Sequence, residues 1–458
     1  MSTRLSWPPR RLPLAPRRRT TRSLRASESA LTTQHNTSAA APSGQRPVVV
    51  EGQRVQGPRP RVVLGVSGGI AAYKAAELLR RFTEGGYDVT VVPTAAALEF
   101  VGAPTWEALS GKAVATEVFE NITEVPHVRL GQNADLVVVA PATANTLARA
   151  AQGLADDLLT NTLLTARCPV VFAPAMHTEM WEHPATRENV ATLRRRGAIV
   201  IDPAEGRLTG KDTGKGRLPD PVEIFELCQA VLARSGATDL TDRHVVVSAG
   251  GTREYLDPVR FLGNRSSGLQ GYAIARAAAA RGAEVTLVAA NVTLPEPAGV
   301  KVVRVETTAQ LHDAMLTAAA SADAVVMAAA PADFRPISVS EAKIKKAADG
   351  SAPTIELAQN ADILKQLSQH RSRPGQVVVG FAAETGDATG SVLDLARAKL
   401  ARKGCDLLVV NDVSGGAVFG SAENEAVILG SDGTAAEVPQ GSKNALAQVI
   451  VDHIVARL

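Results

Sequence analysis

Two stretches of this chain carry side chains of the kind that chemistry on an anionic substrate needs. The first is the glycine turn Gly250-Gly251 with the polar run that follows it, Arg253 to Gly268. Basic side chains, small residues and backbone amides ahead of a helix N-terminus are what a nucleotide phosphate requires. Further cations lie downstream, in Lys343–Lys346 (KIKK) and in Lys399 and Lys403. At i and i+4 the last two share one helix face, an unfavourable arrangement unless an anion sits there. Taken singly, KIKK is more often a solvated charge run than a ligand site, and the Lys399 and Lys403 pair reads equally well either way. The second stretch is spread over several short loops: Ser67-Gly68-Gly69-Ile70, Thr94–Ala96, Pro141–Thr146 and Pro174–His177. These offer hydroxyls, an amide and glycine amides suited to a phosphate or flavin edge. His127, in the apolar stretch Val125–Leu130, has the residue type for proton transfer near neutral pH, though by itself such a histidine is more often structural than a base.

The elements that must position these groups follow from apolar patterning. Val62–Val66, Tyr87–Pro93, Ala134–Ala140 and Pro169–Ala173 are short branched runs bounded by turn residues, the signature of strands buried on both faces. A helix is expected over Ile70–Glu84. Strand, glycine turn, helix and strand together make a flavodoxin-like or Rossmann-like unit, in which ligands bind beyond the carboxyl ends of the strands. All four polar loops fall at that edge. Pro203 to Pro221 is glycine- and lysine-rich and is expected to be a mobile flap, and a helix over Val222–Ala233 closes the unit. A second Rossmann-like nucleotide-binding unit is expected from strands at Val245–Ser248, Val285–Ala289, Val302–Val305, Ala324–Ala329, Val377–Phe381 and Leu407–Val410. Helices at Tyr272–Arg281, Thr308–Ala320 and Ser391–Lys403 complete it. The fold class is α/β, with a flavin domain over 61–235 and a second domain over 243–458.

Composition bounds the function classes. The chain has 458 residues, 45% apolar and 21% charged, enough for two or three domains with ample cores. No apolar run reaches the ~18 residues needed to span a bilayer, so no membrane role is expected. Cys168, Cys228 and Cys405 are isolated, without metal-ligand or disulfide spacing, which fits a reducing cytoplasm. Residues 1–60 hold eleven Arg against Glu28 and Glu51, about +9, whereas the whole chain is +3, so residues 61–458 carry about −6. A mildly acidic folded part removes the electrostatic basis for nucleic-acid binding. Met1–Pro60 is expected to be disordered; a transit-like segment, a non-folding extension and an early start codon all stay open.

GGIAAYK, a His ahead of NADLVVVAPATANTLA, then GLADDLL and APAM, resemble in that order the flavin-containing cysteine decarboxylases. They are most similar to the 4′-phosphopantothenoylcysteine decarboxylase half of the bacterial bifunctional coenzyme A biosynthesis proteins. GGTREYLDPVRFLGNRSSG, Ala328–Pro336 (AAAPADFRP), KIKK, Asn360–Leu364, Val378–Thr385 and Asn411-Asp412-Val413-Ser414 resemble the phosphopantothenate–cysteine ligase half of the same family.

The resemblance implies two reactions. CTP, with Mg²⁺, activates the 4′-phosphopantothenate carboxylate as an acyl-cytidylate, which the amine of cysteine attacks. FMN then serves the oxidative decarboxylation and re-reduction of the product to 4′-phosphopantetheine. His127 would be the base and Asn145 would hold the substrate carboxylate, while Gly68, Gly69, Ile70, Thr94, Thr143, Ala144, Thr146 and Ala173 would line FMN. Ala329, Asp333, Lys343, Ala361, Asp362, Ile363, Leu364, Phe381, Lys399 and Lys403 would contact CTP, and Asn264 would stabilise the acyl-cytidylate; no metal-ligating residue is assigned. The implied assembly is a cytoplasmic homo-oligomer, a dodecamer built from trimers of the flavin domain and dimers of the ligase domain. Two departures stand out: His177 occupies an Asn position of the family's PAMN, and the flap, Leu208-Thr209-Gly210-Lys211-Asp212, lacks the cysteine many members carry there. That gap motivates an alternative, a flavin-binding regulatory protein without decarboxylase activity. A pyridine-nucleotide reductase is a further rival, weakened by the lack of a full GxGxxG.

Overall fold

The computed structural model describes residues 59–114, 126–208, 212–234, 238–345, 352–384, 391–412 and 423–458. Residues 1–58 of the expected extension lie outside the described residues, as do Thr209-Gly210-Lys211 of the flap, Lys346 and Val413-Ser414.

The first sheet is built from β1 (Arg61–Val66), β2 (Asp88–Pro93), β3 (Leu136–Ala142), β4 (Val170–Pro174) and β5 (Ile199–Val200) in the order β2-β1-β3-β4-β5. All of its pairings are parallel. Every residue of β3 is buried, which is why its sequence is an unbroken apolar run rather than an alternation. Around the sheet lie α1 (Ala72–Glu84), α2 (Ala95–Leu98), α3 (Ala103–Ser110), α4 (Pro126–Asn133), α5 (Ala144–Gln152), α6 (Leu158–Thr165), α7 (Thr178–Glu182) and α8 (Pro184–Arg195). The expected mobile flap is in part a regular hairpin, β6 (Ala204–Arg207) with β7 (Thr213–Arg217), and α9 (Pro221–Ala233) follows.

The second sheet has eight strands: β8 (His244–Gly250), β11 (Glu284–Ala290), β12 (Lys301–Val305), β13 (Ala324–Met327), β16 (Val377–Glu384), β17 (Leu407–Asp412), β18 (Glu423–Gly430) and β19 (Ala435–Ser442). Their order is β12-β11-β8-β13-β16-β17-β18-β19, parallel through β17 and antiparallel beyond. The six parallel strands have the dinucleotide-fold order, with the switch point between β8 and β13. Two small antiparallel ribbons stand off this sheet: β9 (Arg253–Tyr255) with β10 (Phe261–Gly263), and β14 (Phe334–Pro336) with β15 (Leu357–Gln359). Its helices are α10 (Leu269–Ala280), α11 (Thr308–Ala319), α12 (Ile363–Gln369), α13 (Val392–Lys403) and α14 (Lys443–Val455).

One apolar core runs through both sheets. Helix α9 packs on α1 on one side and α10 on the other. Phe225 meets Phe82 edge-on at 5.1 Å, and Arg276 of α10 pairs with Glu223 at 3.4 Å and Glu226 at 2.9 Å. Deeper still, Arg281 is buried between Asp239 and Asp452.

Candidate active sites

In the first sheet the expected loops interlock at the carboxyl edge. Ser67 donates its hydroxyl to the Pro141 carbonyl at 2.6 Å and accepts the Thr143 amide at 2.9 Å, tying the end of β1 to the end of β3. Gly68 lies against the loop after β2, so close that a Cβ there would stand 2.4 Å from the Ala96 Cβ. Thr94 caps α2 and Thr143 caps α5, with the Thr143 and Thr146 hydroxyls 3.0 Å apart. Ala144 opens α5, and Ile70 projects into solvent at 69% exposure. Ala173 is fully buried in β4, which leaves only its backbone to face a ligand.

His127 stands on α4, and Thr165 of α6 donates to its carbonyl at 2.8 Å. Its ring Nδ1 is buried and has no hydrogen-bond partner among the described residues. Asn145 is exposed on the first turn of α5. Helix α6 packs against both α4 and α5, so the two residues sit on separate flanking elements.

The β6–β7 hairpin is seated on the loop after β4. The Met176 amide donates to the Gly216 carbonyl at 3.0 Å, and Lys215 reaches over the Trp181 ring at 6.0 Å. Lys215 and Arg194 both hold Asp202, at 2.5 and 2.8 Å. Burial alone would raise that carboxyl; the two cations outweigh it and hold it below the usual range.

In the second sheet, Asn264 stands beside the glycine turn that ends β8. Its amide donates to the Pro331 carbonyl at 2.8 Å, and its own carbonyl lies where a Gly251 Cβ would come within 2.5 Å. The loop after β13 is pinned from the same side. Ser248 accepts the Ala329 amide at 3.0 Å, and Thr252 accepts the Ala332 amide at 2.8 Å. Asn360 completes the platform, donating its amides to the Ala332 and Asp333 carbonyls. Asp333 and Ala361 are exposed there.

The anion that Lys403 meets is a carboxylate of the same chain. Its Nζ lies 2.5 Å from Asp362 Oδ2, which also caps α12. Burial would raise the Asp362 carboxyl, but the Lys403 hydrogen bond and the Lys365 amide bring it below the ordinary value. Lys399 is one turn earlier on α13, and Phe381 is partly buried on β16 against the core. Ile363 and Leu364 are core residues, 2% and 8% exposed, so their side chains pack inward and only their backbone is available to CTP.

Family models match the chain in tandem: a Flavoprotein domain over 52–233 and the DNA/pantothenate metabolism flavoprotein C-terminal domain over 240–458. The coenzyme A biosynthesis bifunctional protein CoaBC of Mycobacterium tuberculosis is 60% identical over 406 residues, 87% of this chain and 97% of that protein. Its counterpart in Bacillus subtilis is 42% identical over 399 residues, 86% of this chain and 96% of that protein. The chain belongs to the CoaBC family. Among solved structures, the C-terminal domain of a CoaBC protein is 34% identical, covering 48% of this chain and 97% of its own, with a TM-score of 0.40. The FMN-dependent cysteine decarboxylase SpaF is also 34% identical, covering 39% of this chain and 98% of its own, with a TM-score of 0.34.

Asp257, in the run after β8, is not singled out by the sequence motifs. Its side chain is fully buried and its two oxygens accept five hydrogen bonds, from the Val259, Arg260 and Ile344 amides and from the Arg260 guanidinium. The signal available in the sequence is Asp257-Pro258, a turn-initiating dipeptide.

Proposed function

We propose that this protein makes 4′-phosphopantetheine from 4′-phosphopantothenate and cysteine, with CTP and Mg²⁺ serving the second sheet and FMN the first. It is a bifunctional enzyme of coenzyme A biosynthesis, a phosphopantothenate–cysteine ligase and a phosphopantothenoylcysteine decarboxylase. The observation that carries this reading is the tandem match along one chain, shared with a 60% identical bifunctional relative over nearly its whole length. That likeness favours an active enzyme over a flavin-binding regulatory protein.

In the ligase reaction the substrate carboxylate attacks the α-phosphate of CTP, pyrophosphate leaves, and the cysteine amine then displaces CMP. Lys343 and Lys399 carry charge toward the triphosphate; Lys403 shares its charge with Asp362. Asn264, held to the Pro331 carbonyl, presents its remaining amide hydrogen to the acyl-cytidylate during attack. Among the described residues no group of three or more His, Cys, Asp or Glu is arranged to hold a metal ion. Mg²⁺ enters as the companion of the triphosphate.

The first sheet's donors fit a flavin mononucleotide: the Thr94, Thr143 and Thr146 hydroxyls and the first turn of α5 suit its phosphate, and exposed Ile70 offers its ring an apolar face. When bound, FMN supplies the oxidation of the thiol-bearing carbon that lets CO₂ leave, and afterwards the returning hydride. His127 moves the proton, Asn145 holds the carboxylate, and a donor other than cysteine protonates the enethiol at this flap.

Exposed apolar residues suit self-association: Tyr73, Leu154 and Leu164 in the flavin half, and Phe261, Phe334, Ile337 and Leu357 in the ligase half. They support the trimer and dimer contacts of a dodecamer. No helix among the described residues is long and apolar enough to cross a membrane. A cytoplasmic location is supported by the three cysteines, all of them free. Incubation with 4′-phosphopantothenate, cysteine and CTP, followed by mass analysis, tests the reading. Phosphopantetheine with CO₂ is expected; accumulation of 4′-phosphopantothenoylcysteine alone would establish the regulatory alternative for the flavin half.

A further inference from the structure

The turn of the catalytic insert grips the lysine segment at two points. Leu256 accepts the Ser340 amide at 3.0 Å, and Asp257 Oδ2 accepts the Ile344 amide at 3.1 Å. Arg260 completes the second grip from the other side, donating to the Ile344 carbonyl at 2.7 Å while its fork, Nε and Nη2, binds Asp257 at 2.9 and 2.6 Å. Both main-chain groups of Ile344 are therefore taken by one ion pair, a buried carboxylate with a half-exposed guanidinium. Lys343 lies between the two grips, with its own side chain exposed. An exposed lysine on an untethered segment would spend much of its attraction for a phosphate on ordering itself. Here that ordering is done in advance by a pair 84 and 87 residues away in sequence.

We propose that Asp257 is a positioning residue of the ligase reaction, fixing the backbone at Ile344 so that Lys343 meets the triphosphate of CTP. Burial alone would raise the Asp257 carboxyl; hydrogen bonds from the Arg260 side chain and from the Val259, Arg260 and Ile344 amides outweigh it and hold the group well below the ordinary range. It is therefore charged, and the clamp closed, throughout the neutral range. Asp257 touches neither reacting group. The proposal rests on the assignment of Lys343 to the triphosphate.

The test is a double-mutant cycle on the full chain, read as the equilibrium dissociation constant for CTP by calorimetry. Asp257→Asn puts an amide where only acceptors fit, and should weaken CTP binding about tenfold, the loss of one to two hydrogen bonds' worth of ordering. Lys343→Gln should weaken it at least as much. Because Asp257 acts through Lys343, the double variant should bind no worse than Lys343→Gln alone. Normal CTP binding by Asp257→Asn beside a weakened Lys343→Gln sinks the proposal and spares the Lys343 assignment. Additive losses in the double variant also sink it, since Asp257 would then act by another route. Normal binding by Lys343→Gln sinks both. Decarboxylase turnover in the same chain reports folding; if Asp257→Asn fails that control, Arg260→Lys replaces it, since a lysine cannot hold Asp257 with a fork while reaching the Ile344 carbonyl. It should raise the dissociation constant about threefold, and an unchanged constant counts against the clamp.

Discussion

The side-chain amide of Asn264 and the main-chain carbonyl of Pro331 are joined by a 2.8 Å hydrogen bond across 67 residues of sequence. The bond ties the insert after β8 to the loop after β13, the two sides of the second sheet's switch point. Asn264→Asp cannot donate it and places a carboxylate against a carbonyl oxygen. Pyrophosphate release from CTP should persist while amide formation falls by about 10²-fold, the usual weight of one preorganised donor. Equal loss of both half-reactions, measured in one assay, would remove Asn264 from the second step.

His127 bears a buried Nδ1 with no partner among the described residues. His127→Gln should lower decarboxylation by 10²-fold or more, on the order of a general base's contribution, and leave the ligase rate unchanged. Retention of decarboxylase activity, followed as CO₂ release, would reassign the base.

At Gly216 a Cβ would stand 2.1 Å from the Met176 carbonyl oxygen, a backbone atom that cannot swing aside. Gly216→Ala should unseat the β6–β7 hairpin, raise the KM for 4′-phosphopantothenoylcysteine and spare the ligase. If the two activities decline in step, the hairpin is a general support rather than part of the flavin site.

Lys403 and Asp362 illustrate how little a half-exposed pair contributes to folding. Asp362→Asn keeps a good cap for α12 and removes only the charge, so it should cost about 0.5 kcal/mol or less, whereas Asp362→Ala loses the cap as well and should cost about 1–2 kcal/mol. Urea titration separates the two; equal costs would mean that the ion pair dominates.

Burial pushes the Glu223 carboxyl from 4.5 up to about 7, opposed by Arg276 and helped by Glu226 and Asp220. The folded chain thus keeps a proton that the unfolded chain has already released, and stability falls as the pH rises from about 4.5 to about 7. Above that window the full cost is on the order of 3 kcal/mol. Glu223→Gln should flatten the decline, seen as urea midpoints across pH 5 to 8 on the order-of-magnitude scale of that linkage. A decline of the same steepness in the variant would assign it to other groups.

The parallel strands were legible because burial on both faces leaves an unbroken apolar run. β3 begins two residues later than expected, at Leu136, and continues through Ala142, because Pro141 and Ala142 stay buried in the sheet. The polar loops were legible at the carboxyl edge for the same reason: once the strands are parallel, their exits share a side. The two ribbons were not, because three-residue strands such as Arg253–Tyr255 give no periodicity to read. Nor were β18 and β19 or the seat of the flap, which depends on the approach of Gly216 to Met176. Asp257 stayed hidden because its partner Ile344 is remote in sequence, and so did the Asp362 carboxylate beside Lys403, 41 residues away. Ile363 and Leu364, expected at the ligand from their motif, turn their apolar side chains into the core and keep backbone groups to offer a ligand.

Helix α9 touches α1 with one face and α10 with another, and its carboxylates hold Arg276. The last helix of the decarboxylase is thereby also part of the ligase's floor. Heating such a molecule offers no stage at which one catalyst has melted and its neighbour is undisturbed, so both activities are expected to disappear in a single thermal transition.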